Sequence, residues 1–255
     1  MKDRRSASGM SADGLYRSIV ADSERDPNII GLVLAGSRGK GFTTAYSDYD
    51  VDMIVEDKCL EEYKKKYEGQ DELGVDVGVF DLAGFRDYAA IRTESAWDRY
   101  SFTHVKAVVD KKNGGIQKLV DEKGSLSASE IPKVIWDACD FYLNQFYRAL
   151  KCARDGDREA AKLELAESVK PLLEAMFALH GRVKPYYKYL KWELENYPLT
   201  LFPWNSAELQ SIVHELSTGL DEALIRDVIR KTEEVFRRHG HGAVFDSWGD
   251  KLHTL

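Results

Sequence analysis

Cysteine is scarce in this chain, and what is there cannot staple a fold. Cys59, Cys139 and Cys152 stand far apart, odd in number, with no CxxC or Cys/His metal spacing. A disulfide scaffold and a cysteine-based metal finger are excluded, and no neighbouring base marks any of the three as a nucleophile. Long apolar runs are missing as well: none approaches the ~20 residues of a membrane helix. The opening Met1-Lys-Asp-Arg-Arg-Ser6 is polar with no apolar stretch behind it. Residues 1–10 therefore read as a loose tail rather than a signal peptide, and reduced thiols without a leader predict a cytoplasmic protein with no membrane partner. Positive charge is in deficit, 36 Lys and Arg against 43 Asp and Glu, for a net charge of −7. Gripping a long phosphate backbone calls for a basic face. The densest basic run, Lys64-Lys65-Lys66, is interleaved with Glu61, Glu62 and Glu68 and reads as a solvated helix face. Nucleic acid is thus not expected as the main partner. A single nucleotide, met by metal and backbone N–H groups, is compatible with this charge.

What is present is an ordinary globular balance in two dissimilar halves. With 255 residues, 44% of them hydrophobic, the chain can build one large or two small cores. In the first half short apolar runs alternate with helical stretches. Ser11 caps a helix to about Arg25, stopped by Asp26-Pro27-Asn28. Ile29 to Ala35 is a compact β-branched run, Tyr49 to Val55 a second strand and Gly74 to Phe80 a third. Residues 58–68 look helical, Asp81 caps a helix to about Ala90, and Phe102 to Val109 reads as a further strand. The second half is helical throughout: about 131–154, 158–180, 185–196, 206–218 and 220–239, joined by short breaks such as Asp155-Gly156-Asp157, which makes a bundle. The fold class is α+β, a sheet-bearing domain over 11–125 and a helical domain over 126–255. There is no internal repeat.

The chemistry concentrates in Leu34 to Val55. The chain leaves a buried strand, makes a glycine-punctuated turn, and returns as a strand bearing alternate carboxylates. Gly36 lets the backbone approach a phosphate closely. Ser37 can offer a hydroxyl and an N–H to a phosphate oxygen, ideally at a helix N-terminus. Val51, Met53 and Val55 face one side of the strand, Asp50 and Asp52 the other. Asp48 and Asp50 are two apart and point alike on a strand. Carboxylates converging on one face repel and call for a divalent cation, and Mg²⁺ suits them when substrate phosphates complete its shell. The segment is not a calcium loop, since apolar strand residues fill it. It is not a Walker A loop either, since no Gly-Lys-Ser/Thr follows.

Gly36-Ser37, ten residues, then Asp48-Tyr49-Asp50 on an apolar strand resembles the signature of the DNA polymerase β-like nucleotidyltransferase superfamily. The form looks similar to its small bacterial members, the aminoglycoside nucleotidyltransferases of the kanamycin- and streptomycin-modifying branch, which also pair this domain with a helical one. The match is strong over about residues 30–80 and diffuse beyond. The resemblance implies a small mixed nucleotidyltransferase sheet flanked by helices and a substrate-binding helical half. It implies Gly36 and Ser37 on the triphosphate and Asp48 and Asp50 on Mg²⁺, two ions in all, with ATP as donor. Asp50 and Asp52 also satisfy the two-apart rule, but Ser47-Asp48 matches the family's Ser-Asp step, which favours 48 and 50. Asp76, on the third strand, is the expected third carboxylate, as metal ligand or as general base; Glu94, Asp137 and Asp140 are alternatives for the base.

Arg38 and Lys40, inside the turn, read either as partners of the β- and γ-phosphates or as solvated turn charges. In the second half, Arg182, Lys184 and Lys188 gather with Tyr186, Tyr187, Tyr189 and Trp192. Lys184 and Lys188 are candidate nucleotide contacts there, against the alternative of a packed helix entry with snorkelling lysines. The expected activity is transfer of AMP from ATP to a hydroxyl of a small acceptor, an aminoglycoside-like antibiotic in the resembling branch, with release of pyrophosphate. The rival expectations are nucleotidylation of a protein partner of toxin–antitoxin type, and a non-catalytic nucleotide-binding or interaction module. Relatives of that branch can form homodimers.

Overall fold

The computed structural model describes residues 11–69, 73–91 and 93–252. The tail expected over residues 1–10 lies outside the described residues. The chain divides into two compact units, Met1–Ser125 and Leu126–Leu255.

The first unit is α+β. Its described elements run α1 (Ala12–Arg25), β1 (Ile29–Leu34), the one-turn α2 (Gly36–Gly39), β2 (Tyr49–Val55), α3 (Leu60–Tyr67), β3 (Val75–Asp81), α4 (Leu82–Asp87), a 3₁₀ stretch (Ala96–Phe102), β4 (Ala107–Asp110) and α5 (Gly115–Gly124). Local chemistry sets several ends. Ser11 accepts the Gly14 N–H at 3.1 Å and starts α1. Asp81 accepts the Gly84 N–H at 2.6 Å and turns β3 directly into α4.

The sheet is mixed, in the order β3-β2-β1-β4. β1 runs antiparallel to β2 and β4, while β2 and β3 are parallel, joined by the α3 crossover. Apolar side chains cover both faces. On one side Val51, Met53, Val55, Val75, Val77 and Val79 pack with Ile19 of α1 and Tyr63 and Tyr67 of α3. On the other, Ile54 packs with Phe85 of α4, Phe102 of the 3₁₀ stretch, Val105 just before β4, and Ile116 and Val120 of α5. β1 serves both cores, with Ile29 and Leu32 on one side and Ile30 and Val33 on the other, and its register against β2 shifts between Ile29 and Gly31.

One sequence expectation is corrected here. Phe102 to Val109 is not a single strand: Ala96–Phe102 is 3₁₀ and only Ala107–Asp110 joins the sheet. His104 sits at φ +63, which no extended strand accommodates. The expected helix over 58–68 begins with a 3₁₀ turn, Asp57–Cys59.

The second unit is helical: α6 (Ile131–Arg154), α7 (Arg158–Leu179), α8 (Tyr187–Asn196), α9 (Ser206–Thr218), α10 (Glu222–Arg238) and α11 (Ala243–Trp248). α6 carries a continuous buried stripe, Ile135, Cys139, Tyr142, Phe146 and Leu150, against Leu165, Leu172 and Met176 of α7. Asn205 and Glu208 form a reciprocal capping box at the start of α9. Among the described residues no helix is long and apolar enough to cross a membrane.

Candidate active site

The site is built on the hairpin β1–β2 and the parallel step from β2 to β3. Antiparallel register pairs Leu34 with Val51, so the chain leaving β1 must pass over Asp50. The Ala35 N–H donates to the Asp50 carbonyl at 2.8 Å and sets that crossing. Gly36 follows with φ +58, and a β-carbon there would lie 1.8 Å from Asp50 Oδ2 and 2.8 Å from its Cγ. Only glycine fits, both for its positive φ and because the Asp50 carboxylate already fills the space a side chain would take. Ser37, next in the turn, is 6% exposed.

Parallel register pairs Asp50 with Asp76 and Asp52 with Gly78. Since alternate side chains share a face, Asp50, Asp52 and Asp76 lie together, opposite the valine-rich core. Their surroundings differ. Asp76 is exposed and Asp50 half-buried. Asp52 lies deeper, beside Ile54 in the apolar half of this face; Gly78 across from it leaves room for the Phe80 ring, which a β-carbon there would approach to 2.9 Å. Burial, then the charges of Asp98 and Asp50, push the Asp52 carboxyl up to about 8, with Lys123 pulling the other way. Asp48 is exposed and immediately precedes β2, whose first ladder bond is Tyr49 N–H to the Gly74 carbonyl at 3.0 Å.

Two residues absent from the sequence reading belong to this face. Asp98, on the 3₁₀ stretch, accepts the Tyr88 hydroxyl at 2.8 Å and the Ser101 hydroxyl. Lys123, near the end of α5, donates from Nζ to the Arg86 carbonyl at 3.1 Å and to the Tyr88 carbonyl. Burial draws its ammonium down to about 8, while Asp52 works in the opposite direction. No sequence spacing marks Asp98. The only signal in the sequence for Lys123 is α5, where Ile116, Leu119 and Val120 mark one turn of a helical face and Lys123 follows on the next.

The turn cations do not stand in solvent. Lys40 is 8% exposed and donates to the Ser101 carbonyl at 2.7 Å, tying the turn to the 3₁₀ stretch. Arg38 donates from Nε to the carbonyls of Ser47 (3.2 Å) and Asp48 (3.0 Å), and from Nη2 to Ser47 (2.9 Å). Its guanidinium carbon lies 3.9 Å from the centre of the Tyr49 ring.

Within the second unit the basic aromatic segment is largely packed. Arg182 pairs with Glu193, whose side chain is fully buried, and donates to the Tyr197 carbonyl at 2.7 Å. Arg182, which the sequence gathers with these lysines, is thus held in an internal ion pair. Lys184 donates to the Pro185 carbonyl at 2.8 Å, and its Nζ lies 4.7 Å from the Tyr187 ring centre. Burial lowers its pKa, against the pull of Glu174. Lys188 stands over Tyr189 at 4.7 Å and is exposed.

Among the described residues no three His, Cys, Asp or Glu side chains are close enough to share an ion. The donor set that does exist, carboxylates on one sheet face beside a glycine turn, fits Mg²⁺, which ordinarily takes one or two carboxylates and completes its shell with substrate phosphates and water.

No family matches the chain by sequence, and no curated protein matches it. Among solved structures, a nucleotidyltransferase-like protein from Exiguobacterium sibiricum 255-15 is similar at 12% identity, over 90% of this chain and 76% of that one, with a TM-score of 0.45. Identity and score at this level leave the reading of the site to its own residues.

Proposed function

We propose that this protein is a nucleotidyltransferase that moves a nucleoside monophosphate, AMP from ATP, onto a hydroxyl of a small acceptor and releases pyrophosphate. The observation that carries the reading is the in-register pairing of Asp50 with Asp76 on adjacent parallel strands, with Gly36 lying against the Asp50 carboxylate. A carboxylate-lined face alone would repel a triphosphate, so the reading requires a divalent cation. Asp48 and Asp50 would hold Mg²⁺, which when bound supplies charge neutralisation on the triphosphate. Gly36 and Ser37 would receive the phosphate tail through close backbone approach and the Ser37 hydroxyl.

The acceptor hydroxyl oxygen then bonds to the α-phosphorus, the bond from that phosphorus to the pyrophosphate oxygen breaks, and the hydroxyl proton passes to a base. Asp76 suits that task, being exposed to an incoming acceptor and set directly beside Asp50. The rate gain comes from alignment and from charge placed in advance. An aminoglycoside-like polycation is the acceptor favoured by the sequence resemblance and by the net charge of −7.

The test is to incubate the full chain with each nucleoside triphosphate, Mg²⁺ and a panel of aminoglycosides and hydroxylated metabolites, and to measure pyrophosphate. Release with ATP and one acceptor class, lost in Asp50→Asn, supports the reading. No release with any combination, or equal release by the variant, overturns it.

A further inference from the structure

We infer that Arg38 is a positioning residue: by clamping the peptide ahead of β2 it sets where the Asp48 carboxylate stands relative to Asp50. The inference rests on the nucleotidyl-transfer reading above and deepens it. Asp48 lies one residue outside the ladder, whose first bond is made by Tyr49, so the sheet does not fix it. What fixes it is the Arg38 guanidinium, through three hydrogen bonds of 2.9–3.2 Å to the carbonyls of Ser47 and Asp48. The clamp is itself held. The guanidinium carbon lies 3.9 Å from the centre of the Tyr49 ring, that ring stacks on Tyr16 of α1 at 4.5 Å and 22°, and the Tyr49 hydroxyl donates to Asp13. Tyr49 joins the ladder through its backbone while its ring anchors the clamp.

The geometry separates this role from phosphate binding. Nε and Nη2 are spent on carbonyls on the Ser47–Asp48 side of the loop. A planar fork can bridge two carbonyls while stacking on a ring; a single ammonium cannot do both. Lysine would still attract phosphate as a point charge, and this difference makes the two roles distinguishable.

The experiment measures Mn²⁺ binding to the full chain by loss of the free-ion EPR signal, and ATP binding in EDTA, for wild type, Arg38→Met, Arg38→Lys and Asp48→Asn. Far-UV circular dichroism checks the fold, and Arg38→Lys carries the test if Arg38→Met does not fold. The expected result is that Arg38→Met and Arg38→Lys each weaken Mn²⁺ binding by about 10-fold, the range of a lost residue behind a metal ligand, with metal-free ATP affinity unchanged. Wild-type Mn²⁺ affinity in the Arg38 variants, with binding still lost in Asp48→Asn, overturns the positioning role and leaves the function standing. Loss of metal-free ATP affinity in Arg38→Met that Arg38→Lys restores makes Arg38 a phosphate ligand and also overturns it. Equal Mn²⁺ binding by wild type and Asp48→Asn removes the metal role of Asp48, and with it this inference.

Discussion

The Gly36 α-carbon is the surface on which the Asp50 carboxylate rests: a β-carbon there would come within 1.8 Å of Asp50 Oδ2. The contact follows from the hairpin register, which carries the chain leaving β1 across the start of β2. Gly36→Ala would combine a strained positive φ with displacement of Asp50. It is expected to cost about 1–3 kcal/mol in denaturant unfolding. Activity should fall further than stability explains, which a comparison of pyrophosphate release at temperatures well below the midpoint would show.

Removing a carboxylate from the shared face should separate function from folding. Asp50→Asn is expected to lower pyrophosphate release by about 10²-fold or more, because the charge that would hold the cation is gone. Its thermal midpoint without metal should stay level or rise, since a like-charge neighbour of Asp52 is removed. A fall in both activity and midpoint would make Asp50 a structural residue.

Asp52 confers a pH dependence of defined sign. Its carboxyl titrates at about 8 in the fold against an ordinary 3.8. Between those values the folded chain keeps a proton that the unfolded chain has released. The stability this group contributes is therefore complete below about pH 4 and drains away as pH rises through about 8. In EDTA, Asp52→Asn should gain thermal midpoint over wild type progressively from about pH 4 to about pH 8. A constant difference across that window would contradict the assignment.

Arg182 belongs to the stability of the helical unit. Its partner Glu193 is fully buried, and Arg182→Met would take the paired cation away from that carboxylate. A loss of roughly 3–5 kcal/mol is expected on breaking such a pair from one side, measured by urea unfolding. Unchanged stability in Arg182→Met would contradict this structural role.

The α+β class was readable in the sequence, as were the spans of β2 and α6, because pleat alternation and helical period are written in consecutive residues. The caps at Ser11 and Asp81 were equally readable, each a short polar side chain reaching three residues ahead. The misses had physical causes. α5 opens at Gly114-Gly115 and closes at Gly124, with charges between, so its short apolar face did not stand out. The strand drawn over Phe102 to Val109 followed apolar content and could not register the positive φ of His104.

Gly36-Ser37 and the alternating Asp48, Asp50 and Asp52 stood out because they are properties of one short stretch of chain. By itself that stretch placed acids on one side of a strand and valines on the other. It did not determine which acids would meet. The pairing of Asp50 with Asp76, the descent of Asp52 towards Asp98 and Lys123, and the turning of Arg38 onto the Ser47 and Asp48 carbonyls were decided by tertiary structure. Register between β2 and β3 is set by packing Val51, Met53 and Val55 beside Val75, Val77 and Val79 over α1 and α3, an arrangement among residues far apart in the chain.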